Sequence, residues 1–170
     1  MNRRQLLFMS AATAMIRLTA YPASAEEHND PALIKPMGSA KITLQQGLTA
    51  AAREGQPISA KFELDNGALQ LSVYTAKDGK FSEVIVDYTT GEVAKAETIM
   101  DSEDLAAARS QSAAMAKAKS DLKSAADKAA GQSAGSRAIS ITPGMKGGRA
   151  VASVTLLSAG QFKTVEQSLE

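Results

Sequence analysis

Residues 58–79 read ISAKFELDNGALQLSVYTAKDG, and this stretch decides the fold. Ile58, Ala60, Phe62 and Leu64 alternate with Ser59, Lys61, Glu63 and Asp65, the period of a half-buried strand. Asn66-Gly67 supplies the two left-handed residues of a tight hairpin turn. Residues 68–76 alternate again, with Leu69, Leu71, Val73 and Thr75 on the core side, and Asp78-Gly79 is a second tight turn. Downstream, residues 80–88 give a third strand with Val84, Val86 and Tyr88 inward. Thr89-Thr90-Gly91 then turns the chain into a short last strand at Val93. Upstream, Thr43 with Gln46 is a capping-box pattern, so a helix starts near residue 44. It runs through LQQGLTAAARE and stops at Gly55, with Pro57 just beyond. The unit is one helix followed by an antiparallel meander.

The unit recurs. Sliding residues 58–84 onto 139–165 gives eight identities: Ile58/Ile139, Ser59/Ser140, Gly67/Gly148, Ser72/Ser153, Val73/Val154, Gly79/Gly160, Phe81/Phe162 and Val84/Val165. Chance supplies roughly two at this composition, so a duplicated unit is expected. Its second copy is degraded. A long Ala-rich helix is predicted over 102–131, capped by Asp101 or Ser102, and 12 of the 30 residues from Leu105 to Ala134 are Ala. Its front, to about Ser120, reads as a solvated connector. Strands follow near 137–142, 149–157 and 161–168, and a loop with Pro143, Gly144, Gly147 and Gly148 stands in place of the tight Asn-Gly turn. The expected fold class is α+β: two repeated units, each a helix packed on an antiparallel β-meander.

The 170 residues suffice for one ordinary domain or two very small ones. With no Cys and a single His, His28, disulfides, thiolate chemistry and a Cys/His zinc site are excluded. A net charge of +1 offers no basic field for nucleic acid. Residues 1–25 read as a signal peptide, with Arg3 and Arg4, the apolar stretch Leu6–Ile16, and Ala23-Ser24-Ala25 as the cleavage pattern. Arg3-Arg4-Gln5-Leu6-Leu7 suits either the general or the twin-arginine export route. No later stretch is apolar enough to span a bilayer, so no stable membrane insertion is expected after cleavage, and the expected place is the periplasm or outside. The organisation expected is a signal peptide at 1–25, a flexible N-terminal arm at 26–40, one repeat at 41–97, a connector helix at 98–119 and the second repeat at 120–170.

The run Val84-Ile85-Val86-Asp87-Tyr88-Thr89-Thr90-Gly91-Glu92-Val93, after a helix and two strands, resembles the PepSY domain. That family ends its units in an alternating strand closed by an Asp-x-x-x-Gly-x-Val turn, here Asp87, Gly91 and Val93. The likeness covers residues 41–97 well and 120–170 weakly. Ser168 stands where a second Asp87 would, and the glycine position falls beyond Glu170. The resemblance implies a small envelope module without catalytic residues that binds or restrains a partner, peptidases among them. It also implies a metal-binding role in some members, lanthanide binders included.

Chemistry-bearing motifs are few. Gly131-Gln132-Ser133-Ala134-Gly135 matches the nucleophile elbow, but a helix precedes it and a strand follows, the reverse of what the elbow needs. Ser120-Asp121-Leu122-Lys123 matches S-x-x-K without its companion motifs. Gly144–Arg149 could form an anion nest but opens no helix. The candidate metal ligands are Glu63, Asp65, Asp78, Glu83 and Asp87, outward or in turns, although Lys61, Lys77 and Lys80 dilute their field. His28 with Glu26, Glu27 and Asp30 is a weaker set. Asp87 and Gly91 are expected to be structural turn residues. The function expected is a non-enzymatic binding or regulatory module for an envelope protein partner, a peptidase among the candidates, with no cofactor. The alternative is a periplasmic metal-binding protein of the calcium or lanthanide type.

Overall fold

The computed structural model describes residues 30–170. The readings made on residues 1–25 and on Glu26, Glu27 and His28 lie outside them. Seven strands form one antiparallel sheet: β1 (Gln56–Asp65), β2 (Ala68–Lys77), β3 (Lys80–Val86), β4 (Val93–Thr98), β5 (Arg137–Lys146), β6 (Arg149–Ser158) and β7 (Gln161–Ser168). Their order is β4-β3-β2-β1-β5-β6-β7. The central joint is short, with Ala60 opposite Ile141 and Lys61 opposite Ser140. The fold class is therefore α+β, and both meanders share one sheet.

Three helices flank the sheet: α1 (Leu44–Ala51), α2 (Ser102–Met115) and α3 (Leu122–Gly131). α1 starts at the expected capping box, since Thr43 Oγ1 accepts from Gln46 N–H and Gln46 Oε1 accepts from Thr43 N–H. It packs on the face that carries Ile58, Phe62, Leu71, Val73 and Val84, all fully buried. There Gly47 lies so close that a Cβ would meet Leu71 Cδ2 at 2.5 Å. α3 shares this face and buries Leu122, Ala125, Ala126 and Ala129 over β5, β6 and β7. Ala150, Ala152, Val154 and Leu156 of β6 lie beneath. One continuous apolar cluster joins residues of both meanders.

The two halves share backbone details. Lys41 and Ile42 N–H donate to Tyr88 O, and Lys119 and Ser120 N–H donate to Leu169 O. β1 carries an irregularity between Pro57 and Ser59, and β5 one between Ala138 and Ser140. Left-handed residues fall at Asn66-Gly67 and Asp78-Gly79 in one half, and at Gly147-Gly148 and Ala159-Gly160 in the other.

Four expectations are corrected. The helix expected over 102–131 is two helices. The chain leaves α2 after Met115, anchors Lys119 and Ser120 on Leu169 O, and restarts where the Asp121 carboxylate accepts Ser124 N–H. The segment read as a solvated connector is packed: α2 lies on β5, β1, β2 and β6 and buries Ala108, Ala114 and Met115. The loop expected around Pro143–Gly148 is a tight turn. β5 runs to Lys146, with Pro143 opposite Ala152, and Lys146 pairs with Arg149 across Gly147-Gly148. Pro143 is tolerated because the ladder to β1 has already ended at Ile141. Finally, the arm expected over 26–40 is folded from Pro31 onward. Pro31–Leu33 and Pro36–Ser39 are short 3-10 turns whose Leu33 and Met37 are only 2% exposed. Arg137 clamps this segment by donating to Met37 O (3.1 Å) and Ile42 O (3.0 Å), with its guanidinium 5.7 Å from the Phe62 ring centroid. Burial lowers its pKa from the ordinary value.

Candidate functional site

The turn after β3 is built by Asp87. Its Oδ1 accepts from Thr89 N–H (2.7 Å), Thr89 Oγ1 (2.6 Å) and Thr90 N–H (2.9 Å). Asp87 N–H donates to Glu92 O, and Gly91 N–H donates to Asp87 O. Gly91 sits at φ 80°, where a side chain is strained. Donors aimed at a carboxylate favour its charged form, so Asp87 is lowered to about 2. Its first oxygen is committed to holding the chain.

The other carboxylates do not converge. Glu63 takes Lys61 Nζ at 2.7 Å and Ser72 Oγ at 2.7 Å. Asp65 accepts from Asn66 Nδ2, and Asp78 occupies a left-handed turn position. Glu83 accepts from the Tyr74 hydroxyl at 3.4 Å. Among the described residues no three His, Asp or Glu side chains are grouped to hold a metal ion. Tyr74 is the centre of this polar face and carried no signal in the sequence. Lys61 Nζ lies 5.7 Å from its ring centroid, and Ser59 beside it donates to Gln111 of α2. Burial first, then the charges of Glu83, Glu63 and Asp104, push the phenol above its usual range. Tyr74 thus keeps its proton and serves as a donor, not a base.

The nucleophile motifs gain no partners. Ser133 lies in the turn after α3, where its carbonyl accepts Ser136 Oγ. Ser120 precedes α3, and Lys123 pairs instead with Asp127 at 2.8 Å. Lys146 of the Gly144–Arg149 segment is paired with Glu166. An open groove between α1 and α3, lined by Thr43, Gln46, Thr49, Arg53, Lys123 and Asp127, is shallow, and its one carboxylate, Asp127, is engaged by Lys123.

Among the described residues, the sheet's two edges remain open. Five of the six β4 residues are exposed. On β7 only Gln167 is buried. Antiparallel ladders alternate between residue pairs that exchange hydrogen bonds and pairs that do not. Leu169 N–H donates to Ala150 O, which sets the phase. The β7 residues that turn their backbone groups away from β6 are therefore Phe162, Thr164, Glu166 and Ser168. On β3, Ile99 N–H donates to Phe81 O, so Phe81, Glu83 and Ile85 are the residues that bond the outer strand β4.

No helix among the described residues is long and apolar enough to cross a membrane. No family model and no curated protein matches the chain. Among solved structures it is similar to one described as a "putative lipoprotein" from Clostridium difficile 630. The identity is 17% and the TM-score 0.39, over 69% of this chain and 78% of that one.

Proposed function

We propose that the chain is a tandem duplication of a PepSY-like unit, and that it works as an exported, non-enzymatic module that recruits a protein partner through the open edge of β7. The duplication is supported by a constant spacing. β1, β2 and their irregularity and turns recur in β5 and β6 at the same distance along the chain, and each half is entered through paired N–H donors onto the end of its third strand. The edge carries the function. Phe162, Thr164 and Glu166 of β7 stand where Phe81, Glu83 and Ile85 of β3 bond β4, and among the described residues nothing takes those groups on β7. An unpaired ladder is a template for strand addition. The PepSY likeness makes an envelope peptidase the favoured class of partner, restrained stoichiometrically by occupation of a surface.

The test uses residues 26–170 as parent and as Thr164→Pro, which removes an outward N–H and spares the β6 ladder. The parent should retain an envelope partner, and slow it if it is a peptidase, in proportion to complex formed. The variant should do neither. Equal retention by both would overturn the edge, and peptide or ester hydrolysis by pure protein, lost on Ser133→Ala, would overturn the non-enzyme reading. The metal alternative rests on Glu63, Glu83 and Asp104 all acting on Tyr74. It has less support because Lys61, Ser72 and Tyr74 already engage the two glutamates.

A further inference from the structure

We propose that the protein self-associates through β4, two copies joining their sheets edge to edge in a twofold, antiparallel pair. The backbone sets the register. Phe81 and Ile99 form a hydrogen-bonded pair, so Glu83–Glu97 and Ile85–Lys95 bond within the sheet, and Ala96 and Thr98 turn their N–H and C=O outward. A second β4 satisfies these groups when Ala96 lies opposite Ala96 of the other copy. Thr98 then lies opposite Ala94 of that copy.

This register also places Lys95 opposite Glu97 of the second copy, and Glu97 opposite its Lys95. Both fall at non-hydrogen-bonded positions, where facing side chains come closest. Glu97 needs such a partner. Within the sheet it stands directly opposite Glu83, a like-charge pair, with only Lys95 of its own strand at 2.8 Å in compensation. Ala96, on the other face, adds no bulk to obstruct the approach, and the neighbouring Ala94 is as small. Edge charges normally repel stray strands, and the Lys-x-Glu spacing here makes the edge selective for its own copy.

β7 lacks this property. Lys163 and Glu166 lie on opposite faces, so no face-matched register sets one against the other. The irregularity in the β3–β4 ladder falls beyond Lys95 and leaves the two charge pairs clear. Only six residues contribute, so the dimer is a weak, concentration-dependent one. The inference concerns β4 alone and stands or falls apart from the partner reading at β7.

Sedimentation of residues 26–170 at low salt, from micromolar to submillimolar, should show the average mass rising toward twice the monomer. Lys95→Glu and Glu97→Lys should each weaken association by about tenfold or more, and an equimolar mixture of the two should associate as a heterodimer. Ala96→Pro removes an N–H that β3 does not use, so it should abolish association and leave the thermal midpoint unchanged. A parent that stays monomeric throughout overturns the proposal. So does self-association that survives Ala96→Pro, or a mixture that associates no better than either variant alone.

Discussion

Replacing Phe62 by Ala should lower the stability of the whole chain in one transition. Phe62 is fully buried on β1, opposite Leu71 of β2 and next to Lys61 of the joint with β5. Its ring also lies beneath Arg137, which ties down Met37 and Ile42. Truncating a buried Phe costs about 3–5 kcal/mol. Loss of the guanidinium–ring contact adds about 0.5–1 kcal/mol. Domains of this size lose roughly 3 °C per kcal/mol, so the thermal midpoint should fall by about 10–18 °C. The loss reaches the whole sheet, because Phe62 belongs to a core that both meanders complete. Calorimetry and circular dichroism at neutral pH should agree on one cooperative step in parent and variant. A midpoint within a degree or two of the parent, or a second step left unmoved, would refute the single-core reasoning.

Arg137→Ala should strand the carbonyls of Met37 and Ile42, at about 1–3 kcal/mol for a buried unsatisfied group, and speed hydrogen exchange over residues 33–43. Exchange unchanged there would show that the clamp is dispensable. Ala159, at φ 47°, is an L-residue with no local compensation in a left-handed turn position. Ala159→Asn should therefore stabilise by about 1 kcal/mol, read as a higher denaturation midpoint. For Asp87 the folded pKa, about 2, lies below the ordinary 3.8. Its stabilising contribution is then complete above the ordinary value and lost as pH falls from about 4 to 2. The stability gap between parent and Asp87→Ala should close across that window, and a gap that stays constant would argue against the turn as drawn.

Turns and alternation were the legible part of this sequence. Asn66-Gly67, Asp78-Gly79 and the Thr43–Gln46 box state their geometry in residue types that few other conformations favour. Gly147-Gly148 is the same kind of signal, masked because Pro143 and Gly144 read as the start of a loop. The arm was misread for another reason. Leu33 and Met37 are isolated apolar residues among prolines, and no period marks them as buried; the clamp on this segment comes from Arg137, about a hundred positions away, which reaches the Met37 carbonyl. The break between α2 and α3 was signalled by Asp121, a good N-cap, but Ala- and Lys-rich, helix-favouring sequence on both sides hid it.

The candidate site moved for a physical reason that lies in α2. Its buried Ala108 and Met115 lie seven residues apart on one face, with Leu105 and Gln111 half-buried on the same face, but so mixed a face of small and polar residues does not stand out from the exposed alanines around it. Sparse apolar area suggested a solvated helix. The sheet face beneath α2 is small as well: Ser59, Ser72, Ser140 and Thr155 are all buried. A small-residue helix can sit close on a small-residue face, and Gln111 then reaches Ser59 Oγ at 2.8 Å. Close approach replaces large side chains as the source of packing contacts. The consequence reaches function. A sheet with a helix across this face no longer offers Glu63 and Glu83 as a free carboxylate array, and Asp104 of α2 joins them around a Tyr74 that keeps its proton. With both faces carrying helices, the sheet retains among the described residues unused backbone hydrogen-bonding capacity along β4 and β7, and it is on these edges that the proposed binding rests.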